Sequence, residues 1–202
     1  MTFRGTAALL LLLMAAAGCA APRTPPSAPV AQPPSAALVD TQLARFYRVC
    51  NSLAAPAEMQ RHAVANGFRP MQPGALASVR ARGMPATGRP VEAAWVLEIG
   101  PQPGPVLFAS HSAQICEFGI PGLRGQAAEQ ALDRFIATGI DRGVMVGARE
   151  TMDGTTGQGQ RLLTHRLRPV DGRQPGGDRN LVLSILRDGS ALFLLVPAPR
   201  AR

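Results

Sequence analysis

Three cysteines, three histidines and 13 carboxylates are the side chains with the widest chemical range in this 202-residue chain. Their spacing leaves few ways to combine them. There is no Gly-x-Ser-x-Gly turn to expose a nucleophile, no His-Glu-x-x-His for zinc, no phosphate loop, no dinucleotide glycine fingerprint and no four-ligand Cys/His set. Gly154, Gly157 and Gly159 follow Asp153 in a stretch without the lysine or the strand-to-helix setting of a phosphate loop, so a flexible turn is expected there. No catalytic residue, metal site or cofactor is assigned.

The histidines are scattered. His62 falls in a helical stretch beside Met59 and Asn66. His111 sits in Ser110-His111-Ser112, where alternate side chains point apart and cannot form a nucleophile-base pair. His165 is the weak candidate for function, because Leu163, His165 and Leu167 alternate onto one strand face. An imidazole on an apolar face is expected to be a hydrogen-bonded packing residue unless a carboxylate, Glu117 or Glu150, reaches it. Glu92 and Glu98 interrupt an apolar strand and are expected on solvated faces.

The first cysteine has a different context. Arg4 precedes an unbroken apolar run from Ala7 to Ala17, too short to span a bilayer and suited to the core of an export signal. Residues 1–18 therefore read as a signal peptide. Ala16-Ala17-Gly18-Cys19 resembles the lipobox of bacterial lipoprotein precursors, and that resemblance implies that Cys19 is lipidated and becomes the first residue of the mature chain. Several acyl chains hold a membrane far more firmly than one, since each buried methylene contributes ~0.8 kcal/mol. The alternative is ordinary cleavage after Ala15-Ala16-Ala17, which would release a soluble periplasmic protein.

Assigning Cys19 to the lipid or the leader leaves an even pair, Cys50 and Cys116. Neither has a CxxC partner, and an oxidising periplasm favours a bridge over reactive thiols. The closed loop would contribute ~4 kcal/mol on the chain-entropy argument.

Residues 19–37 comprise the anchor cysteine and a Pro/Ala-rich tether, which can form neither a helix nor a central strand and would reach ~55 Å if extended. Residues 38–202 are expected to form a single α+β domain. Leu43, Phe46, Cys50 and Leu53 line one face of a helix over Thr41–Ala54, capped by Asp40 or Thr41. A second helix is expected from Pro56 to Asn66-Gly67, with Glu58 at its positive end, making a helical hairpin with the first. Arg69–Pro90, punctuated by Pro and Gly, reads as a long irregular loop. Strands follow at Val91–Ile99, Val106–Ser110 and Gln114–Ile120, with a Gly/Pro turn at 100–105.

A third helix over Gly125–Thr138 presents Ala128, Leu132, Phe135 and Ile136, with Gly139 as its stop. Strands at Gly143–Ala148 and Gln160–Arg168 precede a hairpin of Leu181–Arg187 and Ser190–Val196 about Asp188-Gly189. A two-residue turn would set Ile185 opposite Leu192 and Leu183 opposite Leu194. Both hairpin faces are apolar, so the hairpin should be central or covered. The expected class is α+β: a mostly antiparallel sheet with about three helices on one side.

All 21 basic residues are arginine, and the formal charge is +8. Beyond residue 37, 19 arginines face all 13 acids. The arginines are dispersed, with mild clusters at Arg80, Arg82 and Arg89, at Arg166 and Arg168, and at Arg200 and Arg202. Nucleic-acid binding would need a concentrated stripe and aromatic platforms, and aromatics make up only 4% of the chain, so no nucleic-acid partner is expected. Anionic lipid or an acidic envelope polymer suits the charge better. Cys50, Trp95 and Cys116 together also resemble a pattern in small uncharacterised exported proteins of proteobacteria, which implies no activity. The expected role is a lipid-anchored envelope protein that binds a partner or serves assembly; the alternative is a periplasmic enzyme built around His165 and a carboxylate.

Overall fold

The computed structural model describes residues 33–99, 104–141, 145–155, 160–169 and 179–198. The leader, Cys19 and most of the tether lie outside them, as do residues 100–103 of the Gly/Pro turn, Gly157, Gly159, Arg200 and Arg202.

Twelve elements follow in chain order: α1 (Ala36–Cys50), α2 (Pro56–Ala65), β1 (Phe68–Pro70), α3 (Pro73–Arg82), β2 (Ala93–Leu97), β3 (Val106–Ser110), β4 (Ile115–Arg124), α4 (Gly125–Asp141), β5 (Met145–Thr155), β6 (Arg161–Pro169), β7 (Arg179–Ile185) and β8 (Ser190–Pro197). The strands make one sheet in the order β1-β2-β3-β4-β8-β7-β6-β5, antiparallel at every pairing. Two four-stranded meanders are thus joined by α4, which carries the chain from β4 to the far edge at β5. The second meander returns until β8 pairs with β4. That path makes β7 and β8 central, as their two apolar faces require.

Helix α1 starts at Ala36, earlier than Asp40 or Thr41 would allow as caps, because the Ser35 side chain accepts the N–H of Leu38. Asp40 instead pairs with Arg134 of α4 at 2.9 Å. Val39, Leu43, Phe46, Val49 and Cys50 are buried on the sheet. Helix α2 opens on Pro56, whose missing N–H is no loss in a first turn, and ends at Asn66. Helix α4 runs past Gly139 to Asp141, so that glycine does not stop it.

The main core lies between this helical layer and one sheet face. Phe118 of β4 sits in it, stacked on Phe46 at 5.1 Å and edge-on to Phe68 at 6.2 Å between ring centres. Trp95, Leu107, Phe193 and Leu181 share that face. Trp95 is buried with its indole N–H donated to Gln60 of α2 at 2.9 Å, which satisfies its one polar group.

Residues 69–90 are not an irregular loop, since β1 and α3 occupy much of the stretch; α3 buries no residue and so shows little helical periodicity in its apolar positions. It also lies on the opposite sheet face from the other helices, where Leu76 and Val79 pack against Ala94, Phe108 and Met84. Helices therefore cover both faces.

The β7–β8 register differs by one residue from the two-residue turn. Leu183 pairs with Phe193 and Ile185 with Ala191. Leu186 N–H bonds the Ser190 carbonyl, so the loop has three residues, Arg187, Asp188 and Gly189, with Gly189 at φ 79° in the left-handed region. A one-residue shift in one strand exchanges its faces relative to the other, so Phe193 and Leu195 join Leu183 in the main core while Leu192 and Leu194 turn away with Val182.

Strand β5 also outruns the expected Ala148, reaching Thr155, with a register irregularity between Ala148 and Met152. Asp153 and Gly154 thus belong to a strand.

Candidate functional site

Cys50, at the C-terminal end of α1, is bonded to Cys116, near the start of β4, with 6.0 Å between Cα atoms. Both are completely buried. The bridge fixes the helical layer to the centre of the sheet, beside the Phe46–Phe118 stack.

His165 faces the helical side with Leu163 and Leu167 and is 6% exposed. Across β7 it lies opposite Leu181, and Arg179, opposite Leu167, is its diagonal neighbour on the same face. Arg179 is buried, and desolvation holds its guanidinium below its ordinary basicity, opposed by its Coulombic interaction with the Tyr47 phenol group. Burial raises the Tyr47 phenol in turn, while the Arg179 charge lowers it. This is a packed polar seam between α1 and the sheet.

Glu117 does not approach His165. It alternates with Cys116 and Phe118, so its side chain leaves β4 on the opposite sheet face. There it is fully buried, and its carboxylate accepts three hydrogen bonds: from Ala86 N–H at 3.0 Å, Thr87 N–H at 3.0 Å and the Thr87 hydroxyl at 2.6 Å. Burial pushes the Glu117 carboxyl above the usual carboxylate range, against those donors. The sheet thus separates the two groups that a His-carboxylate site would need. Glu150 lies in β5, where its side chain is not among those described.

Glu92, His111 and His62 hold turns. Glu92 accepts from the Ser110 hydroxyl at 3.3 Å, from the N–H groups of His111 and Ser112 at 3.1 Å each, and from the Ser112 hydroxyl. The Ser112 bonds hold its carboxyl below the usual range. It therefore organises the β3–β4 turn rather than merely facing solvent. His111 Nδ1 lies 3.1 Å from the Leu53 carbonyl, and His62 Nδ1 lies 2.7 Å from the Ser52 hydroxyl, so both rings brace the α1–α2 connection. Glu98 pairs with Arg69 at 2.8 Å on the surface, as a solvated face implies.

The structural role of Glu117 was missed in the sequence, although a signal was present: Cys116, Phe118 and Ile120 alternate, and a carboxylate between them must emerge in the centre of the other face. What it holds is an arm of α3 and the following residues. The arm closes on itself through Met84 N–H to Arg89 O and Gly88 N–H to Met84 O, both at 2.8 Å. Gly83, at φ 75°, allows the reversal; a Cβ there would come within 3.0 Å of the Gly88 carbonyl. Arg80 reaches across to the carbonyls of Val91 at 3.3 Å and Glu92 at 2.7 Å. Between α3 and the loop lies a half-open groove of about 550 Å³ lined by Val79, Arg82, Met84, Pro85, Ala86 and Thr87, among others.

Among the described residues, no three His, Cys, Asp or Glu side chains converge as metal ligands, and no helix is long and apolar enough to cross a membrane. Comparison with protein families, curated proteins and solved structures finds no match to this chain.

Proposed function

We propose that this is a lipid-anchored protein of the bacterial cell envelope, facing the periplasm, with a non-catalytic binding or assembly role. The observation that carries the proposal is the Cys50–Cys116 bridge. A buried disulfide suits an oxidising compartment, and it accounts for two of the three cysteines. Cys19 is the third, placed directly after the apolar run, where a lipid is the modification its context fits. The non-catalytic reading is supported by what these acid-base groups do: His62, His111, Glu92 and Glu117 each hold a turn or loop in place.

Metabolic labelling with a fatty-acid analogue tests the anchor. Wild-type protein is expected to take up label, and Cys19→Ala to take up none. Equal labelling of the two, or none in either, would overturn it. A mature N-terminus upstream of Cys19 by mass measurement would assign the chain to the soluble periplasm instead.

A further inference from the structure

We infer that the α3 arm is a cationic docking face for the anionic phospholipid headgroups of the membrane to which the chain is anchored, an inference that rests on the anchored reading above. The arm is unusual in its charge. From Met59 to Val91 the chain has no Asp or Glu, while Arg80, Arg82 and Arg89 fall within the arm. The fold gathers the last two: Gly83, next to Arg82, approaches the Arg89 carbonyl so closely that a Cβ would stand 3.2 Å from it. Neither nearby acid forms a salt bridge with them among the described residues: Glu92 turns its carboxylate to the β3–β4 turn, and Glu117 is buried beneath the loop with its oxygens on Ala86 and Thr87.

The arm is also the least embedded of the described helical elements. Helix α3 buries no residue, and Arg82 and Arg89 are exposed. In the loop after α3 the backbone N–H groups are largely used: Gly83 to Val79, Met84 to Arg89, Gly88 to Met84, Ala86 and Thr87 to Glu117 of β4, and Arg89 to the Thr87 hydroxyl. With those loop donors engaged, attraction at this end of the arm comes from the exposed guanidinium groups of Arg82 and Arg89, which suit an array of headgroup phosphates. Each arginine near an anionic surface strengthens binding about fivefold. That is weak for a free protein. It suffices for a domain held near the surface by a tether, because the tether converts docking into an intramolecular step. The 15 residues between Cys19 and Ser35 allow a reach of about 46 Å, long enough to let the arm touch the headgroups.

The test is vesicle co-sedimentation of the full chain carrying Cys19→Ala, so that no acyl group contributes. Vesicles containing phosphatidylglycerol are compared with purely zwitterionic ones, and because Arg4 and Arg23 are common to every variant, the comparison of variants with the parent isolates the arm. The expected result is preference for the anionic vesicles, abolished by high salt, reduced about 25-fold in Arg82→Ser/Arg89→Ser and retained in Arg82→Lys/Arg89→Lys. Arg48→Ser/Arg61→Ser, on α1 and α2, should bind like its parent. Equal binding to both vesicle types, or an unchanged preference in Arg82→Ser/Arg89→Ser, would overturn the inference. Polyglutamate beads that retain the protein as well as the anionic vesicles do would replace lipid with an acidic polymer. None of these outcomes depends on lipidation, so failure here and failure of the labelling experiment are distinct.

Discussion

The Glu117 carboxylate and the backbone of Thr87 are joined at 3.0 Å across 30 residues of sequence, with the Thr87 hydroxyl adding a second bond at 2.6 Å. This contact, with its partner from Ala86, is where the sheet grips the α3 arm. Replacing Glu117 with alanine leaves two N–H groups without their acceptor, and an unsatisfied buried donor costs ~1–3 kcal/mol. The arm can partly open to water, so a loss of ~2 kcal/mol in Glu117→Ala is expected by denaturant unfolding. Faster amide exchange at Ala86 and Thr87 than elsewhere in the arm would locate the effect.

The same carboxylate gives a pH dependence. Its folded value is raised by burial, so the fold favours the protonated form. That contribution is complete below the ordinary carboxylate range and is lost as pH rises through the raised value. Glu117→Gln has no proton to lose. Its stability relative to wild type should therefore increase with pH across that window, by at most ~1.4 kcal/mol per unit. A difference that is flat with pH would show that Glu117 titrates as if exposed.

The Cys50–Cys116 bridge spans 66 residues of sequence. Removing both cysteines, as Cys50→Ala/Cys116→Ala, is expected to cost ~4 kcal/mol by the chain-entropy argument and to lower the melting temperature markedly. Thiol titration of denatured, unreduced Cys19→Ala protein from the periplasm should find none free; two free thiols would refute the bridge.

Phe118 is completely buried between Phe46 and Phe68. Phe118→Ala should cost ~3–5 kcal/mol, from lost transfer energy and the cavity left behind. Phe118→Leu should cost much less. Chemical denaturation of both variants checks the order.

Gly189 at φ 79° closes the three-residue hairpin loop. Gly189→Val should destabilise by ~1–2 kcal/mol, because a β-branched residue is strained in that conformation. Cross-strand nuclear Overhauser contacts should connect Leu183 with Phe193 as direct partners. Contacts pairing Leu183 with Leu194 would restore the two-residue turn.

Local and periodic features were legible in the sequence. The apolar faces of α1 and α4, proline at the start of α2, and the two apolar faces of the final hairpin each follow from spacing over a few residues, and each is present. The Cys50–Cys116 bridge followed from counting cysteines against compartment. Tertiary structure decided what depends on partners distant in the chain. Helix α3 has too few buried contacts to leave a periodic signal; it is held in place by Arg80 bonding the Val91 and Glu92 carbonyls and, through the loop after it, by Glu117. The strand order places β8 beside β4, more than 60 residues apart, which no local pattern encodes.

The face on which a charged residue emerges depends on those pairings as well. Sequence could name His165 and Glu117 as a pair to watch. Only the assembled sheet puts them on opposite sides, because β-strand side chains alternate and β4 and β6 belong to one continuous layer.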